Sequence, residues 1–345
     1  MKVAAVILAA GASTRFGSTK QLASLGTGTM LSAVSGIAHR ARLEPVIAVV
    51  PLGMAMPSDV IAEVNPRPAA GLSHSLRLGL AAVPAQMDAA VILLGDQPTV
   101  LVSTVLALLE MNTDRPITAI RADGRLAPPM LVRRAAFALA DEVAGDEGLR
   151  SILDHHPELV TEIDVAGHAP DVDTPSDLEG LGGACPGCGA FFPVLSAGAM
   201  HPYIGASAGC WAAFGELLAR EFQDPGYGWI HRHTVDVYTV QHPGVDGRRQ
   251  RQSVAVHLIG LCHWLEHGLS MVQLNPITQR LASEGGREWP WLTPPATYGL
   301  TVLDALAAPD AVEHGRLVRR WAESVWQAWV AHHELVRQWA NEALD

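Results

Sequence analysis

The sequence predicts an α/β chain in two parts: a three-layer α/β/α domain over residues 1–182, then a mainly α-helical domain over residues 183–345. Three observations predict it. In the first half, short apolar runs alternate with helix-length stretches, the pattern of a mostly parallel sheet covered by helices. The first such run, Val3 to Leu8, breaks into a small-residue turn with glycines at 11 and 17. The third is a segregation of residue types. All nine Trp, all four Tyr and all four Cys lie beyond residue 182, with ten of the fifteen His. The run Gly180-Leu181-Gly182-Gly183 follows an Asp/Pro-rich segment, 170–179, and marks the seam.

In chain order, strands are expected at 3–8, 46–51, 90–94, 116–120 and 160–164. Helices are expected between them at 29–40, 73–83, 100–111, 132–143 and 147–153. In open sheets of this kind, ligands bind outside the carboxyl ends of the strands, where the first glycine turn lies. In the second half, helices are expected at 203–222, 227–238, 250–268, 296–307 and 312–342. Val254, Leu258, Leu261, Cys262 and Leu265 repeat at helical spacing in the third. In the last, Leu317, Trp321, Val325, Ala328, His332 and Leu335 form one stripe, widened by Trp326, Trp329 and Trp339.

The net charge of −11 argues against a basic nucleic-acid-binding surface. Mean hydropathy is +0.18, yet no uncharged apolar run of membrane-spanning length occurs. The N-terminus passes directly into a strand-like run and lacks a signal-peptide layout, so a cytoplasmic location is expected.

The turn after the first run reads Leu8-Ala9-Ala10-Gly11-Ala12-Ser13-Thr14-Arg15-Phe16-Gly17-Ser18-Thr19-Lys20. A backbone with few side chains approaches a polyphosphate closely and points N–H groups at it. Arg15 and Lys20 supply counter-charge. Lys20 is one of only two lysines in the chain. A Walker loop is excluded, because Lys20 lies three residues beyond the second glycine. The dinucleotide fingerprint is excluded because Ser13 stands where its second glycine belongs.

This stretch resembles the signature loop Leu-Ala-Ala-Gly-x-Ser-x-Arg-x-Gly-x-x-Lys of the nucleotidyltransferases that include the molybdenum cofactor cytidylyl- and guanylyltransferases. The resemblance covers residues 1–180 and implies a Rossmann-like nucleotidyltransferase domain. It makes Arg15, Lys20 and Asp96 the catalytic candidates. Leu8, Ala9, Ala10, Gly11, Ser13, Asn65 and Ser75 are the nucleotide-binding candidates.

Asp96 ends the run Ala90-Val91-Ile92-Leu93-Leu94-Gly95, where an acid either caps the next helix or binds a metal–phosphate complex. Leu93-Leu94-Gly95-Asp96-Gln97-Pro98 matches the family's metal-binding motif, so the resemblance implies Mg²⁺ on Asp96. Asp171-Val172-Asp173-Thr174-Pro175-Ser176-Asp177-Leu178 matches a second family motif. It implies Asp173 as the other Mg²⁺ ligand, with Asp171 in reserve. A plain helix cap by Thr174 or Asp173 with Pro175 and Asp177 fits the same residues. Asn65 and Ser75 match a nucleotide-contacting segment, and Ser75 or Ser73 fits a helix N-cap equally. Pro128-Pro129-Met130-Leu131 and Gly145-Asp146-Glu147-Gly148-Leu149-Arg150 resemble acceptor-side motifs, but the first lacks the family's histidine.

The resemblance implies transfer of a nucleoside monophosphate from an NTP to a phosphate-bearing acceptor, probed first as molybdopterin, with release of pyrophosphate. Ala10 favours CTP over GTP, since the family pairs Ala-Gly with cytidine and Gly-Gly with guanosine. A sugar or alditol phosphate acceptor, or a non-catalytic cofactor-binding module, is the alternative. A molybdoenzyme is a further expected partner.

In the second half, Cys185-Pro186-Gly187-Cys188-Gly189 has the form of half a zinc site. Cys210 and His201 are the nearest candidates for the other Zn²⁺ ligands, with His231, His233, His242 and His257 in play. His263 and His267 form a pair at helical spacing, and Cys262 is expected in the core. This half resembles an uncharacterised bacterial family of unknown function, which implies no activity.

Overall fold

The computed structural model describes residues 1–344 apart from 12, 14, 27, 123, 146–152, 166–168, 193–200 and 284–286. The chain divides into two compact units, Met1–Gly180 and Leu181–Asp345.

The first unit contains strands β1 (Val3–Leu8), β2 (Ser24–Leu25), β3 (Gly28–Thr29), β4 (Val46–Pro51), β5 (Ile61–Asn65), β6 (Ala89–Leu94), β7 (Ile117–Ala122), β8 (Arg125–Arg133) and β9 (Val160–Asp164). Its helices are α1 (Met30–Arg40), α2 (Leu72–Ala82), α3 (Val102–Glu110) and α4 (Pro175–Gly180). Seven strands form one sheet in the order β5-β4-β1-β6-β8-β7-β9. β1 pairs in parallel with β4 and β6, and β4 with β5. β8 runs antiparallel to both β6 and β7, and β9 is parallel to β7. Continuous apolar runs such as β1 and β6 suit strands covered on both faces. Val6, Leu8, Ile47 and Val49 pack on one face with Leu76 and Leu80 of α2. The alternate residues Ala5, Ile7 and Ala48 face the opposite layer, where α1 packs against α3. Gly79 lets α2 approach the sheet, since a Cβ there would sit 2.4 Å from Val6 Cγ1.

Two elements differ from expectation. The helix expected over 132–143 is the end of β8 followed by a 3₁₀ turn, Arg134–Asp141. Val132 and Arg133 are claimed by the sheet, opposite Ala90 and Ala89 of β6. β5 was not expected: it is an exposed edge strand whose Glu63 and Asn65 break the apolar pattern. The helix expected over 147–153 and the motif ending in Arg150 lie largely outside the described residues.

The second unit opens with the short pair β10 (Gly183–Ala184) and β11 (Phe191–Phe192). Helices follow: α5 (Ala208–Gln223), α6 (His231–Gln241), α7 (Arg248–His267), α8 (Met271–Ser283), α9 (Val302–Leu306), α10 (Ala311–Ala328) and α11 (His333–Glu342). Tyr238, Leu258, Leu261, Trp321 and Trp329 are fully buried at its centre. The single helix expected over 312–342 is two, broken by a 3₁₀ turn at Val330–His332. The helix expected over 296–307 is only Val302–Leu306, opened by a Thr301/Asp304 capping box. α8 was not expected, because Pro276 lies inside it. No described helix is long and apolar enough to cross a membrane.

Candidate active site and metal centre

β1 and β6 are parallel neighbours, so the loops after them open at the same sheet edge. Gly95 N–H donates to Leu8 O at 2.9 Å and ties the two loops together. A Cβ on Gly95 would sit 2.9 Å from the Ala9 Cβ, so glycine permits this approach. The third loop is fastened by Val172 N–H, which donates to Asp96 O at 2.9 Å. Three sequence-distant loops thereby surround a cavity of about 420 Å³.

The glycine loop closes on itself. Ser13 has φ 52°, and its carbonyl accepts from Phe16 and Gly17 N–H at 3.0 and 3.2 Å. Ser13 Oγ accepts from Lys20 N–H and donates to buried Gln21, each at 3.3 Å. This folding returns Lys20 to the cavity. Its Nζ lies 2.8 Å from Asp96 Oδ2 and 3.0 Å from Asp173 Oδ1. Only 9% of the Lys20 side chain is exposed. Arg15 pairs with the other oxygen of Asp173 at 2.6 Å but is 71% exposed, so it is free to swing. Burial alone would lower the Lys20 pKa, but the two carboxylates outweigh it and the net shift is upward. Burial raises the Asp96 pKa, Lys20 opposes that, and the charge of Asp171 adds to the rise.

Leu8, Ala10, Gly11, Ser13, Arg15, Lys20, Ser75, Asp96 and Asp173 line this cavity. Ala9 and Asn65 do not. Asn65 is buried, donating from Nδ2 to Ser75 Oγ at 3.0 Å and accepting from Arg67 N–H at 2.8 Å, so it positions Ser75. Asp171 is turned to Gln97, accepting its Nε2 at 2.9 Å. Capping and site roles coexist in 171–178: Asp177 Oδ2 accepts from Asp173 and Thr174 N–H, and Thr174 Oγ1 accepts from Asp177 N–H. Ser73 is buried in the first turn of α2. Pro128, Pro129 and Met130 are part of β8. Gln21 and Gln97, buried supports of the two loops, were missed by sequence reasoning; their adjacency to Lys20 and Asp96 was the available signal.

In the second unit, one ligand atom each from Cys185, Cys188, Cys210 and His242 lies within 4.8 Å of the others. The fourth position is filled by His242 rather than His201, whose Nδ1 accepts from Tyr203 N–H and whose ring lines a neighbouring cavity. Cys188 and Cys210 sulfurs are 3.9 Å apart, and Cys210 Sγ lies 3.3 Å from His242 Nε2. A tetrahedral zinc ion with Zn–S of about 2.3 Å has S···S edges of about 3.8 Å. His242 Nδ1–H donates to Tyr238 O at 2.8 Å, leaving Nε2 toward the thiols, as a second-shell partner would dictate. Ser207 N–H donates to Cys185 Sγ at 3.4 Å, and Cys210 sits in the first turn of α5. A Cβ on Gly187 would lie 2.3 Å from His242 Cδ2, so the knuckle requires glycine there.

Hydrogen bonds from Cys188 and Cys210 hold the Cys185 thiol far below its usual range. Cys185 in turn pushes Cys188 upward, and Cys210 up to about 12. Three thiols this close cannot all ionise unless a cation joins them. Of the other histidines, His231 Nδ1–H donates to Glu221 and His257 Nδ1–H to Asp236, while His263 Nδ1 lies 3.1 Å from His267 Nδ1. Cys262 is buried, and burial pushes its thiol up to about 12.

The seven-stranded, mostly parallel sheet with its helices is like that of nucleotidyltransferases. Residues 5–160 match the MobA-like NTP transferase domain, and residues 183–330 match the Family of unknown function (DUF5946). The chain therefore carries a MobA-like NTP transferase domain at residues 5–160 and a separate DUF5946 domain. Comparison with curated proteins finds no match. Among solved structures, Rv0371c from Mycobacterium tuberculosis H37Rv is 30% identical over 52% of this chain and 97% of its own, with a TM-score of 0.46. A manganese complex of Rv0371C is 28% identical over 52% and 96%, with a TM-score of 0.44. The inositol-1-phosphate CTP transferase from T. maritima is 15% identical over 51% and 91%, with a TM-score of 0.41. The match of residues 5–160 makes this part of the first unit a nucleotidyltransferase domain.

Proposed function

We propose that the first unit transfers CMP from CTP to the phosphate of a molybdopterin-type acceptor. The observation that carries this reading is the salt-bridge triangle of Lys20 with Asp96 and Asp173, at 2.8 and 3.0 Å on the wall of the cavity. An acceptor phosphate oxygen attacks the α-phosphorus of the nucleotide. The bond from that phosphorus to the bridging oxygen breaks, and pyrophosphate leaves with its electron pair. The acceptor phosphate is already ionised, so no side chain need remove a proton. The protein's contribution is positioning and neutralisation of charge.

Lys20 and Arg15 bind the β- and γ-phosphates and hold the leaving pyrophosphate. Ser13 and Gly11 shape the loop that faces the triphosphate. Ala10 is buried in the cavity wall, and its methyl narrows the base pocket in favour of a pyrimidine. Asp96 and Asp173 are the residues that would hold Mg²⁺, which when bound supplies charge neutralisation between the α-phosphate and the acceptor oxygen. The second unit holds Zn²⁺ on Cys185, Cys188, Cys210 and His242. Four protein ligands make that site structural.

The test is pyrophosphate release with each NTP, Mg²⁺ and two acceptor classes, molybdopterin and sugar phosphates. Turnover is expected with CTP and molybdopterin. Turnover with GTP alone would overturn the base assignment, and turnover only with sugar phosphates would overturn the acceptor. Lys20→Met is expected to lower kcat by about 10²–10³, the usual cost of one preorganised charge-stabilising donor.

A further inference from the structure

The second unit holds a cavity of about 280 Å³ beside the Cys/His cluster, walled by residues of α5, α6 and α7. One wall is aromatic. Phe214 and Tyr238 stack at 3.7 Å between centroids, and Trp211 leans on both at 5.6 and 6.1 Å. The other wall is cationic. The Arg249 guanidinium lies 4.0 Å from the centroid of the Tyr203 ring, also on the lining.

Charge is the second observation. In a chain of net charge −11, the lining of this cavity contains no Asp or Glu among the described residues. Asp236 of α6 is fully buried. It is consumed by Arg232 at 2.9 Å and by His257 Nδ1 at 2.6 Å. The Asp236 contact fixes the His257 ring at the lining, with Nε2 as the nitrogen that pairs with nothing else among the described residues. The lining is mostly apolar, with Arg249, His257, Ser253 and Gln250 as its polar members on α7, the pattern of a small-ligand site.

We propose that this cavity binds a small planar anion: an aromatic or heteroaromatic ring bearing a phosphate or carboxylate. The ring lies along Trp211, the half-buried member of the aromatic wall, and the anion meets Arg249 and His257 Nε2. The volume exceeds the roughly 150 Å³ that accommodates benzene, leaving room for a ring and one charged substituent. His242 is shared by the cluster and the cavity lining, but Arg249 and His257 are not among the cluster's residues, so mutating them tests the cavity.

The test is titration calorimetry on the full chain with phenyl phosphate, benzoate, phenol and inorganic phosphate. Phenyl phosphate or benzoate is expected to bind one per chain, at least tenfold more tightly than phenol or inorganic phosphate. Whichever of the two binds better identifies the anion. Arg249→Gln and His257→Gln are each expected to weaken that binding at least tenfold, with metal content and pyrophosphate release unchanged. Lys20→Met separates this site from the first unit's phosphate site and is expected to leave the affinity unchanged. Absence of binding by both ring anions, phosphate binding as tightly as phenyl phosphate, or unaltered binding in Arg249→Gln would each overturn the proposal.

Discussion

Acidification will weaken the second unit through one buried histidine. His233 is 3% exposed and stacks on Trp264 at 3.8 Å, and its Nδ1 finds no hydrogen bond. Burial lowers its pKa from 6.5 to about 4, with Asp236 opposing the fall and Arg232 and Arg319 adding to it. Folded protein therefore holds His233 neutral where the unfolded chain takes up a proton. The contribution is fully present above pH 6.5 and is lost as pH falls toward about 4. At about 1.36 kcal/mol per unit, this shift amounts to about 3 kcal/mol. Urea denaturation followed by tryptophan fluorescence reads this unit alone, since every Trp lies beyond residue 182. His233→Phe keeps the stacking and removes the titration. The wild-type unit should lose about 3 kcal/mol more than the variant between pH 6.5 and 4. Parallel pH profiles, within about 0.5 kcal/mol, would refute the reasoning.

Three further outcomes follow from the packing. Freshly purified protein should contain one zinc per chain, and His242→Ala or Cys210→Ser should lose it; metal analysis by mass spectrometry decides. Gly187→Ala should weaken zinc retention against a chelator by at least tenfold, because its Cβ displaces the His242 ring. Gly79→Ala should destabilise the first unit by about 1–3 kcal/mol through overpacking on Val6 and Val49. Calorimetry reads that change, as this unit has no Trp or Tyr.

The site of the first unit was legible because its chemistry is local. Gly11 to Lys20 and Asp96 sit in short motifs directly after β1 and β6, and Asp173 in one just before α4; a parallel sheet brings such loops to one edge. The metal centre was half legible: Cys185 and Cys188 are a local knuckle, but His242 lies 32 residues beyond Cys210. Its selection over His201 depends on α6 delivering its C-terminus to the thiols, which no spacing encodes. β5 escaped because an edge strand has no buried face to pattern it. The strand β8 escaped because Pro128 and Pro129 interrupt its pattern; they fall at the register shift in its pairing with β7.

The triangle formed by Lys20, Asp96 and Asp173 also bears on the order of events. An internal cation already occupies the seat between the two acids. A divalent ion arriving alone would put two positive charges where one stood and displace a nearly buried ammonium from both of its carboxylate partners. Arriving with a triphosphate, it brings the ammonium's new partner. If Asp96 and Asp173 hold the metal as proposed, the resting site would favour the metal–nucleotide complex over the metal alone, with Lys20 as a placeholder until both arrive.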